Sequence, residues 1–280
     1  MPLPVYPAQR YVTPLREGGS LPAVVETPAG LFAVKFRGAG QGARALVAEV
    51  VVGRIAQTLG LPLPDLALVR LAEGFGRAEP DPEIQDVLRA SHGLNVGLAF
   101  VEGAFPFDGL AAGDLVGPDL AAAVVWLDAL VTNIDRTARN PNLLVAPGPE
   151  GPKLWLIDHG AALYFHHDWA TVDEARARSP FPAIRDHVLL PFAGGVEAAD
   201  ARLAPLLDAD TLGAVLADVP DTLLTDAPPG REPPFATAEA ARSAYLDYFR
   251  QRLAAPRAWV AEAARAQAAA PDAQPLPYRR

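Results

Sequence analysis

At 280 residues, half of them hydrophobic, the chain is long enough to bury a sizeable core as one large domain or two lobes. Its formal charge of −9, from 24 basic and 33 acidic residues, excludes the dominant basic surface that a duplex-DNA binder needs. The absence of cysteine excludes disulfides, thiolate metal sites and a cysteine nucleophile. No apolar run approaches the roughly 18 residues that would read as a membrane-spanning helix. The longest, Leu120 to Val131, is interrupted by Asp128 and reads as a buried helix. Met1-Pro2-Leu3-Pro4 has neither the charged nor the apolar region of a signal peptide, so the expected location is cytoplasmic and no membrane partner is expected.

The first third reads as strands joined by turns. Pro22 to Glu26 and Leu31 to Phe36 form a predicted hairpin across Thr27-Pro28-Ala29-Gly30. After Arg37-Gly38-Ala39-Gly40-Gln41-Gly42, the apolar positions Leu46, Val47, Val50 and Ile55 predict a helix over 43–59, ended by Gly60 and Pro62. Leu66 to Leu71 and Val96 to Val101 are predicted strands, with a polar connection over 73–91 between them. From about Glu102 the character becomes helical. Asp119 is expected to cap a helix reaching Thr132. A second hairpin follows, from Asn142 to Val145 and from Leu154 to Ile157. Helices are predicted over 200–207, 209–219 and 237–268, the last split or kinked at Pro256. Residues 226–234 read as a Pro-rich loop and 269–280 as a frayed tail.

The stretch Asn133-Ile134-Asp135-Arg136-Thr137-Ala138-Arg139-Asn140, followed by Asp158-His159-Gly160, has a chemical reading. An acid, an amide five positions on and a second acid in an Asp-X-Gly turn occur in the order used by phosphoryl-transfer sites. Asp135 would orient or deprotonate the attacking hydroxyl, and Arg136 would pair with nearby anions. Asn140 and Asp158 would hold magnesium against the phosphates. A loop between a buried helix and a short sheet is held rigid enough to aim such groups. Each motif alone also fits an ordinary turn.

Lys35 closes the strand Leu31-Phe32-Ala33-Val34-Lys35-Phe36, where a lysine can reach nucleotide phosphates. Glu49, among apolar neighbours in the next helix, needs a cationic partner, and Lys35 is the natural one. Gly18, Gly19 and Ser20 offer backbone N–H groups and a hydroxyl to a phosphate, and Gly38 to Gly42 is a second candidate cradle at a helix start. Neither reproduces Gly-x-Gly-x-x-Gly. His159, His166, His167 and Asp168 allow a competing reading as a metal-dependent hydrolase. In the preferred reading His159 fills the Asp-X-Gly turn, and His166 and His167 belong to a mobile segment beyond it. Trp126 and Trp155 read as core.

Together these residues resemble the HipA-like kinases, a bacterial branch of the protein-kinase-like superfamily. Val34-Lys35-Phe36, Ala48-Glu49-Val50, Leu59-Gly60-Leu61-Pro62-Leu63-Pro64, Asn133-Ile134-Asp135-Arg136 through Asn140-Pro141-Asn142-Leu143-Leu144, and Ile157-Asp158-His159-Gly160 carry the resemblance. It implies an α+β, bilobal protein-kinase-like fold with a β-rich N-lobe over 1–102, a mainly helical C-lobe over 103–268 and a tail over 269–280. It also implies ATP and Mg2+ in the cleft, and transfer of the γ-phosphoryl group to a serine or threonine hydroxyl. The hinge would fall at Val101-Glu102-Gly103, so Val101 and Gly103 would offer backbone groups to adenine. The chain is short for toxin-type members and leaves no room for their additional N-terminal subdomain, so no antitoxin partner carries over. His159 stands where typical kinases have Phe. The acceptor, a protein or a small hydroxylated molecule, is not specified, and an ATP-binding pseudokinase is the alternative within the same fold.

Overall fold

The computed structural model describes all residues except 1, 16–20, 41, 78, 113–114, 150, 228–231 and 271–280. The first half builds a six-stranded sheet in the order β1-β5-β6-β4-β3-β2, from β1 (Val5–Pro7), β2 (Arg10–Pro14), β3 (Ala23–Thr27), β4 (Gly30–Lys35), β5 (Leu66–Leu71) and β6 (Gly93–Ala99). β1 runs parallel to β5, and the other pairs are antiparallel. The predicted β3–β4 hairpin forms in register Ala23↔Val34, and Thr27 braces its turn by accepting the Ala29 N–H and donating to the Gly30 carbonyl. Gly30 closes that turn at φ +109°, a conformation costly for any residue with a Cβ.

Alternation along β4 decides where Lys35 points. Phe32 and Val34 are buried on one face, with Phe36, Val25, Val69 and Leu88 in a satellite core. Lys35 therefore shares the opposite face with Leu31 and Ala33. That face is covered by α1 (Gly42–Thr58), which is wedged between the sheet and the C-terminal helices and is buried continuously from Ala45 to Gly53. Gly53 allows the close approach, since a Cβ there would lie 3.1 Å from Leu66.

The second half begins with β7 (Phe105–Pro106) and α3 (Gly109–Ala112). It continues through α4 (Pro118–Leu130), a small sheet of β7, β8 (Leu143–Ala146) and β9 (Lys153–Leu156), and a run of helices. These are α5 (Glu174–Arg178), α6 (Val196–Leu203), α7 (Ala209–Ala217), α8 (Asp221–Leu224), α9 (Ala238–Leu253) and α10 (Ala258–Ala269). One core cluster runs from α1 through α4 to α10. Among the described residues, no helix is long and apolar enough to cross a membrane.

Several expectations need correction. The stretch 73–91 is not merely a polar connection, because it contains α2 (Pro82–Arg89). Asp81 caps this helix onto Glu83 N–H, Pro82 starts it, and Ile84 and Leu88, one turn apart, bury against the outer sheet face. β6 begins at Gly93 and ends at Ala99, earlier than the run from Val96 to Val101, because its pairing with β5 reaches Leu71↔Gly93. Pro118 takes the first position of α4, so Gly117 is the cap and Asp119 lies in the first turn. α6 starts at Val196 and ends at Leu203, ahead of the 200–207 window at both ends, because Pro205 tightens the chain into a 3-10 turn. The C-terminal helix splits around Pro256, as predicted. Trp126 is buried against Trp259, but Trp155 is only half-buried and packs under the Lys153 ammonium. The expected tail falls almost wholly outside the described residues.

Arg252 in α9 ties this half together. Its buried guanidinium donates to the carbonyls of Ala129 and Leu130 at the end of α4, and to those of Ala177 and Ser179 at the end of α5. Helix C-termini leave such carbonyls without partners. Arg252→Met keeps the stem and orphans these acceptors. It is expected to cost on the order of 3 kcal/mol in urea unfolding, and a loss below about 1 kcal/mol would refute the role.

Candidate functional site

The loop 131–142 is built from the end of α4. Val131 N–H bonds Leu127 O and Asn133 N–H bonds Asp128 O, a closed helix terminus with Thr132 in the left-handed region at φ +54°. Asp128 is fully buried one turn before this end. Its carboxylate accepts from Arg136 Nε at 2.6 Å, Asn133 Nδ2 at 3.0 Å and His187 Nε2 at 2.9 Å. The rest of the Arg136 guanidinium reaches the carbonyls of Asn142 and Ile157 and, at 3.1 Å, His159 Nδ1. One buried ion pair thus joins α4, both ends of the loop and the end of β9.

The electrostatics follow from this packing. Burial would raise Asp128, but Arg136, His187 and Asn133 outweigh it and hold the carboxyl well below its usual range. Burial first, and then the Arg136 charge, push His159 down to about 3. Because arginine only donates, His159 Nδ1 must accept, and the ring is the neutral Nε2–H tautomer. His187 is neutral in the same way, since its Nδ1 accepts Leu189 N–H at 3.0 Å. Arg136 does pair with an anion, but that anion is Asp128. His159 is an anchor of the framework rather than a side chain free to swing.

On this platform Asp135 is fixed at each end. Its N–H bonds Asn133 Oδ1 at 3.1 Å, and its carboxylate accepts from Asn140 Nδ2 at 2.8 Å and Asn142 Nδ2 at 3.2 Å. Asn142 also donates to the Asp135 carbonyl while its own carbonyl serves Arg136. Spending the Asn140 N–H group on Asp135 leaves Asn140 Oδ1 as an oxygen donor of the kind hard cations take.

A second cluster lies across from the first. Lys35 Nζ bonds both Glu49 Oε1 and Asp158 Oδ1, with Glu49 buried and Asp158 partly exposed. Burial alone would lower Lys35, but two carboxylates on one ammonium hold its pKa above the usual value. Burial, with the charge of Asp158, pushes Glu49 up despite Lys35. Asp158 is held down by Lys35 against its own burial. The Gly160 backbone packs against this cluster, and a Cβ there would lie 3.4 Å from both Lys35 Nζ and Glu49 Oε1, an ordinary contact distance. Asp158 itself takes a left-handed φ of +52°.

The predicted residues therefore form two clusters, Lys35–Glu49–Asp158 and Asp135–Asn140, and of these Asp135 lines an open cleft of about 1030 Å3. Asp135, Gly160 and the Gly38–Gly40 turn line that cleft. Val101 and Gly103 lie on the turn after β6, with Gly103 at φ +67°. Gly18, Gly19 and Ser20 lie outside the described residues. The expected mobile segment is instead a 3-10 turn, Tyr164–His167, whose His166 is buried on Tyr245 Oη at 2.8 Å. Among the described residues no His, Asp and Glu side chains group as a metal site, so His159, His166, His167 and Asp168 do not form the hydrolase cluster. Asp128, Asn142 and His187 are the residues that motif spacing missed. Asp128 left a signal, since a lone carboxylate inside an apolar helix requires a buried partner.

A family model described as HipA-like kinase matches residues 24–177, more than half of the chain. No curated protein matches the sequence. Among solved structures, the crystal structure of the Helicobacter pylori proinflammatory kinase CtkA is similar over 95% of this chain and 98% of that chain, with a TM-score of 0.54 and 13% identity. At that identity the likeness establishes the fold, an α+β protein-kinase-like arrangement of a curled β-rich part and a helical part.

The neutral His159 gives a signed pH dependence. Its pKa is about 3 when folded against 6.5 for the free side chain, so the unfolded chain binds more protons between these values. Stability is fully present above 6.5 and is lost as pH falls through that window. His159→Gln keeps an acceptor for Arg136 and removes the titration. The stability lost between about pH 7.5 and pH 5 in urea unfolding should shrink by roughly 2 kcal/mol, and an unchanged loss would refute a buried neutral His159.

Proposed function

The chain belongs to the HipA-like kinase family, and we propose that it is an active ATP-dependent phosphotransferase whose acceptor is a serine or threonine hydroxyl of a protein. The observation that carries this reading is the contact of Lys35 with both Glu49 and Asp158, residues far apart in sequence. A strand lysine paired with a helix glutamate, beside the acid of an Asp-X-Gly turn, is the arrangement that phosphoryl transfer requires to be in place. The intact Asp135, held by two amides, favours turnover over nucleotide binding alone.

In this reading the lobes divide near residue 102, with the nucleotide between them and its adenine against the backbone at Val101 and Gly103. Lys35 reaches the α- and β-phosphates, kept aimed by Glu49. Gly18, Gly19 and Ser20 would offer backbone N–H groups and a hydroxyl to the phosphates. Asn140 and Asp158 supply only oxygen donors, which fits Mg2+, an ion usually held by one or two carboxylates together with phosphates and water. When bound, that ion neutralises charge on the phosphates. Asp135 orients the acceptor hydroxyl and takes its proton. The hydroxyl oxygen bonds to the γ-phosphorus, the bond from that phosphorus to the β-phosphate oxygen breaks, and ADP leaves with the electron pair. Asn140 and Asn142 both donate to Asp135 Oδ2, which leaves Oδ1 for the acceptor hydroxyl at the cleft that Asp135 lines.

Asp135→Asn preserves the shape of the side chain and removes the base. With labelled ATP and magnesium, transfer to lysate proteins or to the chain itself should fall by about 10²–10⁴-fold, with ATP affinity by fluorescence titration unchanged. Tight ATP binding by the wild type without any transfer would overturn the enzyme reading in favour of a pseudokinase. Asn142→Ala should lower kcat by roughly tenfold while leaving the ATP KM within about twofold, because it frees Asp135 to rotate without touching the nucleotide side. An unchanged kcat would refute that positioning role.

A further inference from the structure

The cleft beside Asp135 has one wall whose charge is left unmatched among the described residues. Arg37 and Arg44 both line it. Arg37 is bonded to the Asp226 carboxylate, so its charge is answered within the chain. Arg44, in the first turn of α1, donates to the His167 carbonyl at 3.0 Å and has no carboxylate partner among the described residues. The first turn of α1 contains no acidic residue either, so helix-terminal N–H groups add to the same sign. The uncompensated charge is felt nearby, since burial and then Arg44 push His167 below its usual pKa. In a chain of net charge −9, an unmatched arginine facing an open cleft is a site for an anionic ligand.

Two apolar side chains sit beside it without cover. Ile134, immediately before Asp135, is 45% exposed, and Tyr164 is 57% exposed. Both line the same cleft as Arg44 and Asp135. Single exposed apolar residues mean little, but two converging on the rim of one cleft beside a base mark a contact surface. Arg44 and Asp135 line this cleft together, whereas Lys35, Glu49 and Asp158 are not among the residues that line it. Arg44 therefore goes with Asp135 rather than with the Lys35 cluster.

We propose that the acceptor is an acidic peptide segment: a carboxylate next to its hydroxyl residue pairs with Arg44, an apolar neighbour covers Ile134 and Tyr164, and the hydroxyl meets Asp135. This rests on the reading of Asp135 as the residue that faces the acceptor hydroxyl, but docking can be measured without transfer. Two short fluorescein-labelled peptides, each with one serine and a flanking leucine, would carry either glutamates or glutamines beside the serine. Fluorescence anisotropy would be read on the full chain with magnesium and a nonhydrolysable ATP analogue.

The glutamate peptide should bind about tenfold tighter than the glutamine peptide, the worth of one charge-assisted pair. The preference should fade as salt rises. Arg44→Gln should erase the preference, and Arg44→Glu should transfer it to a matching lysine peptide, an inversion that a misfolded variant would not give. Tyr164→Ala should weaken both original peptides alike. Equal affinity of the wild type for the two peptides, binding of neither, or a glutamate preference that survives Arg44→Gln would each overturn the proposal. If the preference follows the charge at Arg44 but no phosphate is transferred from ATP, the docking surface stands and the transferase reading fails.

Discussion

The buried pair of Asp128 and Arg136 is the constraint on which the rest of the site depends. A charge taken out of water is costly unless its lone pairs and protons find partners, and here both charged groups are multiply bonded, with the His159 Nε2–H at the edge of the network left without a partner among the described residues. Asp128 has three donors, and the guanidinium of Arg136 meets its carboxylate, two carbonyls and a ring nitrogen. The partners come from four pieces of chain: α4, the loop 131–142, the segment after β9 and the turn carrying His187. The requirement to satisfy one charge therefore fixes four segments relative to each other. Asp135 inherits its position from this arrangement through Asn133 and Asn142, both of which also bond members of the network.

The second constraint is the shared ammonium of Lys35. One positive charge lies between two carboxylates, so the trio carries a net negative charge in a half-enclosed place. The more exposed member, Asp158, is the one best able to exchange Lys35 for another cation, because water already reaches it. Glu49 has no such alternative, being enclosed in the middle of α1. The fold thus makes Glu49 the permanent partner of Lys35 and Asp158 the exchangeable one.

Much of this was legible in local signals. Asp135, Asn140 and Asp158 could be read from spacing because the loop and hairpin between them are local structures. Lys35 and Glu49 followed from strand alternation and from the cost of burying a lone carboxylate. The helix α2 was missed because its short amphipathic face, Ile84 and Leu88, is outweighed in composition by polar residues and only gains meaning against the sheet. Trp155 was misassigned because a half-buried strand face and a core face look alike until the opposing layer is known. His166 looked mobile because its partner, Tyr245, lies in a helix far along the chain.

By itself, the sequence determined the two strands of the lysine hairpin, the helix carrying Glu49 and the identity of the acids and amides at the centre, and its resemblance to the HipA-like kinases implied the fold class. The local elements depend on period, turn chemistry and burial cost, which act over a few residues. Only the tertiary structure decided that His159 is a neutral anchor, that Asn142 braces Asp135, and that Arg44 faces an open cleft with no carboxylate among the described residues to answer it. Those facts depend on which side chains meet across long stretches of chain. The free energy of a buried or exposed charge is set by all its neighbours at once, and no local pattern records them.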